Sequence, residues 1–114
     1  MPKDIKRGEI YWIDWSPGRG SEQSGLRPAL VIQNNTGNKY SPTTIVAALT
    51  TAIEKPYPFL VKVTKKESGL PKDSIINLAV IMTIDKTRLT DKCGELSEAK
   101  TAEVNKAIKA SLEL

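Results

Sequence analysis

Apolar residues in this chain come in short runs separated by clusters of Gly, Pro, Asn and Ser, and the spacing becomes helical only near the end. That pattern restricts the fold more than any other feature. Residues Glu9–Trp15 alternate, with Ile10, Trp12 and Asp14 on one side and Tyr11, Ile13 and Trp15 on the other, which predicts a strand. Ala29-Leu30-Val31-Ile32-Gln33 is apolar enough to be buried on both faces, and Thr43–Thr50 reads the same way. Phe59–Val63 alternates again, and Ser74–Asp85 supplies one or two further strands. The connections are a loop at Ser16–Gly25, a turn-rich segment at Asn34–Pro42, a loop at Glu54–Pro58 and a reversal at Lys65–Lys72. Ser97 is an N-cap candidate, and Val104, Ile108, Ser111 and Leu112 recur at helical spacing, predicting an amphipathic helix over residues 98–112. The expected architecture is mainly β with one helix. It is a single domain over residues 1–114, a small SH3-like barrel at about 6–96 closed by the C-terminal helix, with an OB-type barrel as the alternative.

The residues that are missing narrow the chemistry. The 114-residue sequence has no histidine and one cysteine, Cys93. Ser-His-Asp and Cys-His machinery, histidine metal ligation and paired-imidazole RNA cleavage are therefore excluded, as are an internal disulfide and a Cys-rich zinc site. No cofactor or metal is expected. Any catalysis has to use Arg, Lys, carboxylates, hydroxyls or the backbone. No apolar run approaches the roughly 18 residues of a membrane span, and Met1–Gly8 lacks the apolar core of a secretion signal. A cytoplasmic location and no membrane partner are the expectation.

The formal charge is +4, and because residues 98–114 carry three Lys and three Glu, the whole excess falls on residues 1–97. A basic β-rich portion suits a polyanionic partner, although the same excess also describes an ordinary solvated surface.

Single motifs leave alternatives open. Gly18–Gly25 is rich in glycine but ends in neither Lys-Ser/Thr nor a helix start, so it is not a phosphate loop of the named types. It reads as a strand connection near a ligand. Arg27, just before Pro28 and a buried strand, reads either as an anion-binding group or as a snorkelling or ion-paired residue. Thr50 and Thr51 end a buried strand, where threonine is ordinary. Trp12 and Trp15 are core aromatics or stacking platforms.

Several segments taken together resemble the MazF/PemK family of toxin endoribonucleases. They are Arg7-Gly8-Glu9-Ile10-Tyr11, Ser16-Pro17, Gly20-Ser21-Glu22-Gln23-Ser24-Gly25, and Arg27-Pro28-Ala29-Leu30-Val31-Ile32. Later matches are Asn38-Lys39-Tyr40-Ser41-Pro42-Thr43, Ala48-Leu49-Thr50-Thr51, Tyr57-Pro58-Phe59, Asp73-Ser74 and Thr83-Ile84-Asp85-Lys86. The resemblance implies an SH3-like barrel, a homodimer, single-stranded RNA (mRNA) as substrate, and a cognate antitoxin that is acidic and partly disordered. It places the catalytic arginine at Arg27 and the catalytic threonine at Thr50, with Glu22 supporting activity. Arg19, Ser21, Gln23, Thr51 and Met82 are expected to face the RNA. Where many relatives carry Glu-Gln-Ile and then Arg or Lys, this chain has Ala79-Val80-Ile81-Met82, which removes two polar contacts. Met82 packs against a base or fills the core.

The implied chemistry needs no histidine. RNA supplies its own nucleophile, the 2′-hydroxyl next to the scissile phosphate, and the products carry 2′,3′-cyclic phosphate and 5′-hydroxyl ends. The protein holds the atoms in line and stabilises the charge that develops. Guanidinium offers a fork of donors that matches two phosphate oxygens, and a threonine hydroxyl adds a directed bond. Two other readings remain: a non-catalytic toxin of the same fold that binds a protein target, as CcdB relatives do, and a nucleic-acid-binding barrel without catalysis.

Overall fold

The computed structural model describes residues 4–15, 25–51 and 55–114. Among these residues six strands form one antiparallel sheet: β1 (Glu9–Asp14), β2 (Leu26–Val31), β3 (Thr43–Thr50), β4 (Leu60–Val63), β5 (Ser74–Asp85) and β6 (Leu89–Glu95). Their order across the sheet is β4-β5-β3-β2-β1-β6. Helix α1 (Asn35–Tyr40) joins β2 to β3, α2 (Lys65–Ser68) joins β4 to β5, and α3 (Glu98–Leu112) ends the chain.

The strands anticipated from apolar runs are all present, and four elements are additional: α1, α2, a 3-10 turn at Lys86–Arg88 and β6, of which α1 and β6 matter most to the sheet. The turn-rich segment after β2 contains α1, a helix built from poor helix formers. Asn34 caps it, its Oδ1 accepting from Gly37 N–H at 2.7 Å. Asn38 is buried within it and donates to the Gln33 carbonyl at 2.9 Å while accepting from Thr44 Oγ1 at 2.7 Å. The other is β6, whose Asp91, Lys92, Gly94 and Glu95 give no apolar alternation. It exists because β1 pairs with it. A buried carboxylate joins the two strands: Glu9 accepts from Lys6 N–H at 2.8 Å and Tyr11 Oη at 2.9 Å, and ion-pairs with Lys92 at 3.0 Å.

Both faces of the central strands are covered, as the unbroken apolar run in β2 requires. Ile10, Leu30, Ala47, Leu49, Ile76 and Leu78 pack with Val104 and Ala107 of α3. Tyr11, Ile13, Ala29, Val31, Val46 and Ile84 form a second cluster on the other face. Ser97 caps α3 as the sequence indicates, accepting from Lys100 N–H at 3.2 Å. At its far end Leu112 is 55% exposed, and Ala107 and Val104 carry the packing instead.

One long strand, β5, occupies the stretch where one or two were expected, and it changes faces midway. Ala47 pairs with Ile81 but Ala48 pairs with Asn77, leaving Leu78, Ala79 and Val80 bulged from the β3 ladder. The freed backbone groups find other partners: Leu78 N–H donates to the Phe59 carbonyl at 3.0 Å, Ala79 N–H to Asn77 Oδ1 at 2.9 Å, and Ser111 Oγ to the Leu78 carbonyl at 2.7 Å. The odd-length insertion reverses the alternation. Ile76 and Leu78 therefore face the α3 cluster, whereas Met82 and Ile84 face the other.

The fold is thus the expected mainly β SH3-like one with a C-terminal helix, but the hydrogen-bonded ladder is open between its end strands β4 and β6. Helix α2 lies against both end strands. Its capping Gly69, at φ +78°, and Gly94 of β6 let the two backbones touch, since a β-carbon on Gly94 would stand 2.5 Å from the Ser68 carbonyl oxygen.

Candidate active site

The β2–β3 ladder pairs Val31 with Val46, Leu30 with Ala47 and Ala29 with Ala48, and stops there. Pro28, which has no N–H to offer a ladder, stands at that point. Continued by two residues in the same register, the strands set Arg27 opposite Thr50. The strands part instead, and a cavity of about 300 Å³ opens between them, lined by both residues.

Thr50 is fixed from its other side, where it pairs with Ile75 of β5. Thr51 follows it and is exposed. The turn into β5 adds Lys72 and Ser74 to the lining from the β5 side of Thr50, and Trp12, Leu49 and Leu70 supply apolar surface. Ser74 is buried and its Oγ donates to the Lys72 carbonyl at 3.0 Å. Among the described residues, two cations and three hydroxyls line the cavity and no carboxylate does. Such a lining suits an anion with neighbouring apolar groups.

The other potential nucleophile is elsewhere. Cys93 is outside this cavity, and burial, reinforced by the Asp91 carboxylate, pushes its thiol up from the ordinary value, which disfavours a thiolate. No three Cys, Asp or Glu side chains among the described residues come together as metal ligands would.

Of the site residues named from the sequence, Arg27, Thr50 and Thr51 meet at one cavity. Arg19, Ser21, Glu22 and Gln23 lie outside the described residues. The loop carrying them is closed by Trp15 N–H donating to the Gly25 carbonyl at 3.0 Å, two residues before Arg27. Met82 is not brought to the cavity: it packs half-buried against the second cluster, because the bulge turns it to that face. Trp12 packs on the core and also lines the cavity. Lys72 is the residue that sequence reasoning passed over. In the sequence it is one lysine among several in a polar turn, and only the pairing of Thr50 with Ile75 brings that turn to Arg27.

Comparison with known proteins follows the same lines. Residues 6–112 match the family described as PemK-like, MazF-like toxin of type II toxin-antitoxin system. A curated relative from Staphylococcus epidermidis, named Endoribonuclease MazF, is 53% identical over 111 residues, covering 96% of this chain and 92% of the relative. A relative of the same name from Staphylococcus saprophyticus is 52% identical over the same shares. Among solved structures, a mycobacterial endoribonuclease in complex with its cognate antitoxin superposes with a TM-score of 0.81 at 26% identity, covering 96% of each chain. A MazE–MazF structure from Deinococcus radiodurans gives 0.80 at 23% identity over 99% of each chain, a likeness of fold. The chain belongs to the PemK-like, MazF-like toxin family of type II toxin–antitoxin systems.

Proposed function

We propose that this chain is the toxin of its pair and an endoribonuclease that cleaves single-stranded RNA without a metal. The observation that carries the reading is the meeting of Arg27 and Thr50 at one cavity, in a family whose curated relatives are endoribonucleases. The 2′-hydroxyl attacks the adjacent phosphorus, the P–O5′ bond breaks, and the ends are a 2′,3′-cyclic phosphate and a 5′-hydroxyl. Arg27 acts electrostatically, its guanidinium fork binding the oxygens on which charge accumulates, since arginine is a poor base. Thr50 donates a directed hydrogen bond to the same phosphate, and Thr51 lies beside the entering strand. Glu22, Arg19, Ser21 and Gln23 act from the loop preceding Arg27. Met82 packs half-buried against the second cluster and does not line this cavity.

The partner of the toxin is an acidic antitoxin that complements the positive excess of residues 1–97. The working unit is a homodimer. Val80 and Leu112 are exposed where Ser111 ties α3 to Leu78, which gives an apolar surface to a second copy. No helix among the described residues is long and apolar enough to cross a membrane, and a cytoplasmic location follows from an mRNA substrate.

The test is incubation of micromolar folded protein with a long single-stranded RNA in EDTA. Fragments with 5′-hydroxyl and 2′,3′-cyclic phosphate ends are expected, and DNA of the same sequence survives. Intact RNA from folded protein would overturn the reading.

A further inference from the structure

The cavity holds a second cation that no family motif quoted above includes. We propose that Lys72 is a phosphate-binding residue of this centre. It grips the phosphate next to the scissile one and so sets the path of the strand through the cavity. This rests on the ribonuclease reading.

Three observations place Lys72 in that role. It lines the same cavity as Arg27 and Thr50, entering from the β5 side of Thr50 while Arg27 comes from the β2 side. Strand β5, into which it leads, runs two strand spacings, about 10 Å, from β2. A phosphate seated against Arg27 and Thr50 thus lies toward the β2 side, and the next phosphate along the backbone meets the β5 side. Its backbone is also held in place. Pro71 precedes it with a fixed φ, and the buried Ser74 binds its carbonyl. Its ammonium group, moreover, is not committed elsewhere: Lys72 Nζ makes no hydrogen bond or ion pair among the described residues. The neighbouring Asp73 is turned away, its Oδ1 accepting from Lys65 N–H at 2.8 Å at the start of α2. A lysine is a point charge without the geometry of a fork. It attracts a phosphate whatever base is attached, which is the behaviour of a group that positions the strand and reads no sequence.

The experiment measures binding and cleavage separately. Binding of a mixed-sequence 2′-O-methyl oligoribonucleotide, which lacks the nucleophile, is followed by fluorescence anisotropy over a range of KCl for wild type, Lys72→Gln and Lys72→Arg. Each phosphate contact on a single strand contributes about 0.7 to the slope of log Kd against log salt. Lys72→Gln is expected to lower the slope by about 0.7 and weaken binding about fivefold at 0.1 M salt. Lys72→Arg should restore both. With cleavable RNA, Lys72→Gln should raise KM, keep kcat within about twofold and leave the cleavage sites unchanged. If the slope and Kd of Lys72→Gln match wild type, or if kcat falls with KM unchanged, the assignment is wrong. Wild-type protein that binds the probe but cuts no RNA removes the ribonuclease reading and leaves the Lys72 contact to be judged by the slope.

Discussion

Gly69 packs its Cα so tightly onto the backbone of Cys93 that a β-carbon there would overlap the Cys93 carbonyl. The contact lies where the ladder is open, and it is the means by which α2 closes the barrel wall between β4 and β6. Gly69 also sits at φ +78°, where an L side chain is strained. Gly69→Ala should destabilise the protein by about 3 kcal/mol, strain and overpacking together. Urea unfolding measures it. A loss below about 0.5 kcal/mol would mean that α2 does not hold the wall.

Arg27 is exposed, so its substitution should spare the fold. Arg27→Ala is expected to lower kcat by roughly 10²–10³, the cost of one preorganised donor to a developing charge. Arg27→Lys should recover little of it, because an ammonium cannot reproduce the fork. Thr50→Ala should lose activity on the same scale while Thr50→Ser retains most of it. Single-turnover cleavage with circular dichroism as the folding control decides the point. An Arg27→Ala protein that still poisons growing cells would instead favour a target-binding toxin.

The Glu9–Tyr11–Lys92 network predicts how stability depends on pH. Burial pushes the Glu9 carboxyl up, but hydrogen bonds from Lys6 N–H, Lys92 and Tyr11 outweigh it and hold the group below its usual 4.5. A depressed carboxyl adds stability above the unfolded-state value and loses it as the pH falls through the folded one. Burial and the hydrogen bond to Glu9 raise Tyr11 from its usual 10 to about 12. A raised group works the other way, its stabilisation being complete below pH 10 and lost as the pH climbs toward about 12. Urea midpoints should therefore fall at both extremes. Tyr11→Phe should flatten the alkaline limb, and an unchanged limb in that variant would refute the assignment.

Ser97 supplies a side-chain acceptor to the first turn of α3. Ser97→Ala should cost about 1 kcal/mol and Ser97→Asp almost nothing. Because α3 covers one face of the sheet through Val104 and Ala107, the loss should appear in global unfolding. If instead it shows only as fraying in amide exchange, α3 is independent of the core.

Local patterning determined much of this protein. The alternation in Glu9–Asp14, the double-sided burial of Ala29-Leu30-Val31 and the Ser97-capped helix were legible because each depends on neighbours within a few residues. The lack of histidine had already fixed what chemistry was available. Other features depend on partners far along the chain. Strand β6 is polar and forms because β1 has an edge to fill, and α1 forms because Asn38 finds Gln33 and Thr44. The bulge at Leu78–Val80 turned Met82 to the face of the second cluster, where it packs half-buried and does not line the Arg27 cavity. Arg27 and Thr50 meet because the β2–β3 register would set them opposite each other just where the ladder stops, and Lys72 joins them because Thr50 pairs with Ile75 on the other side. Register is a relation between distant segments, and the free energy that selects it comes from burying whole faces at once, so only the assembled sheet could decide which polar residues share a cavity.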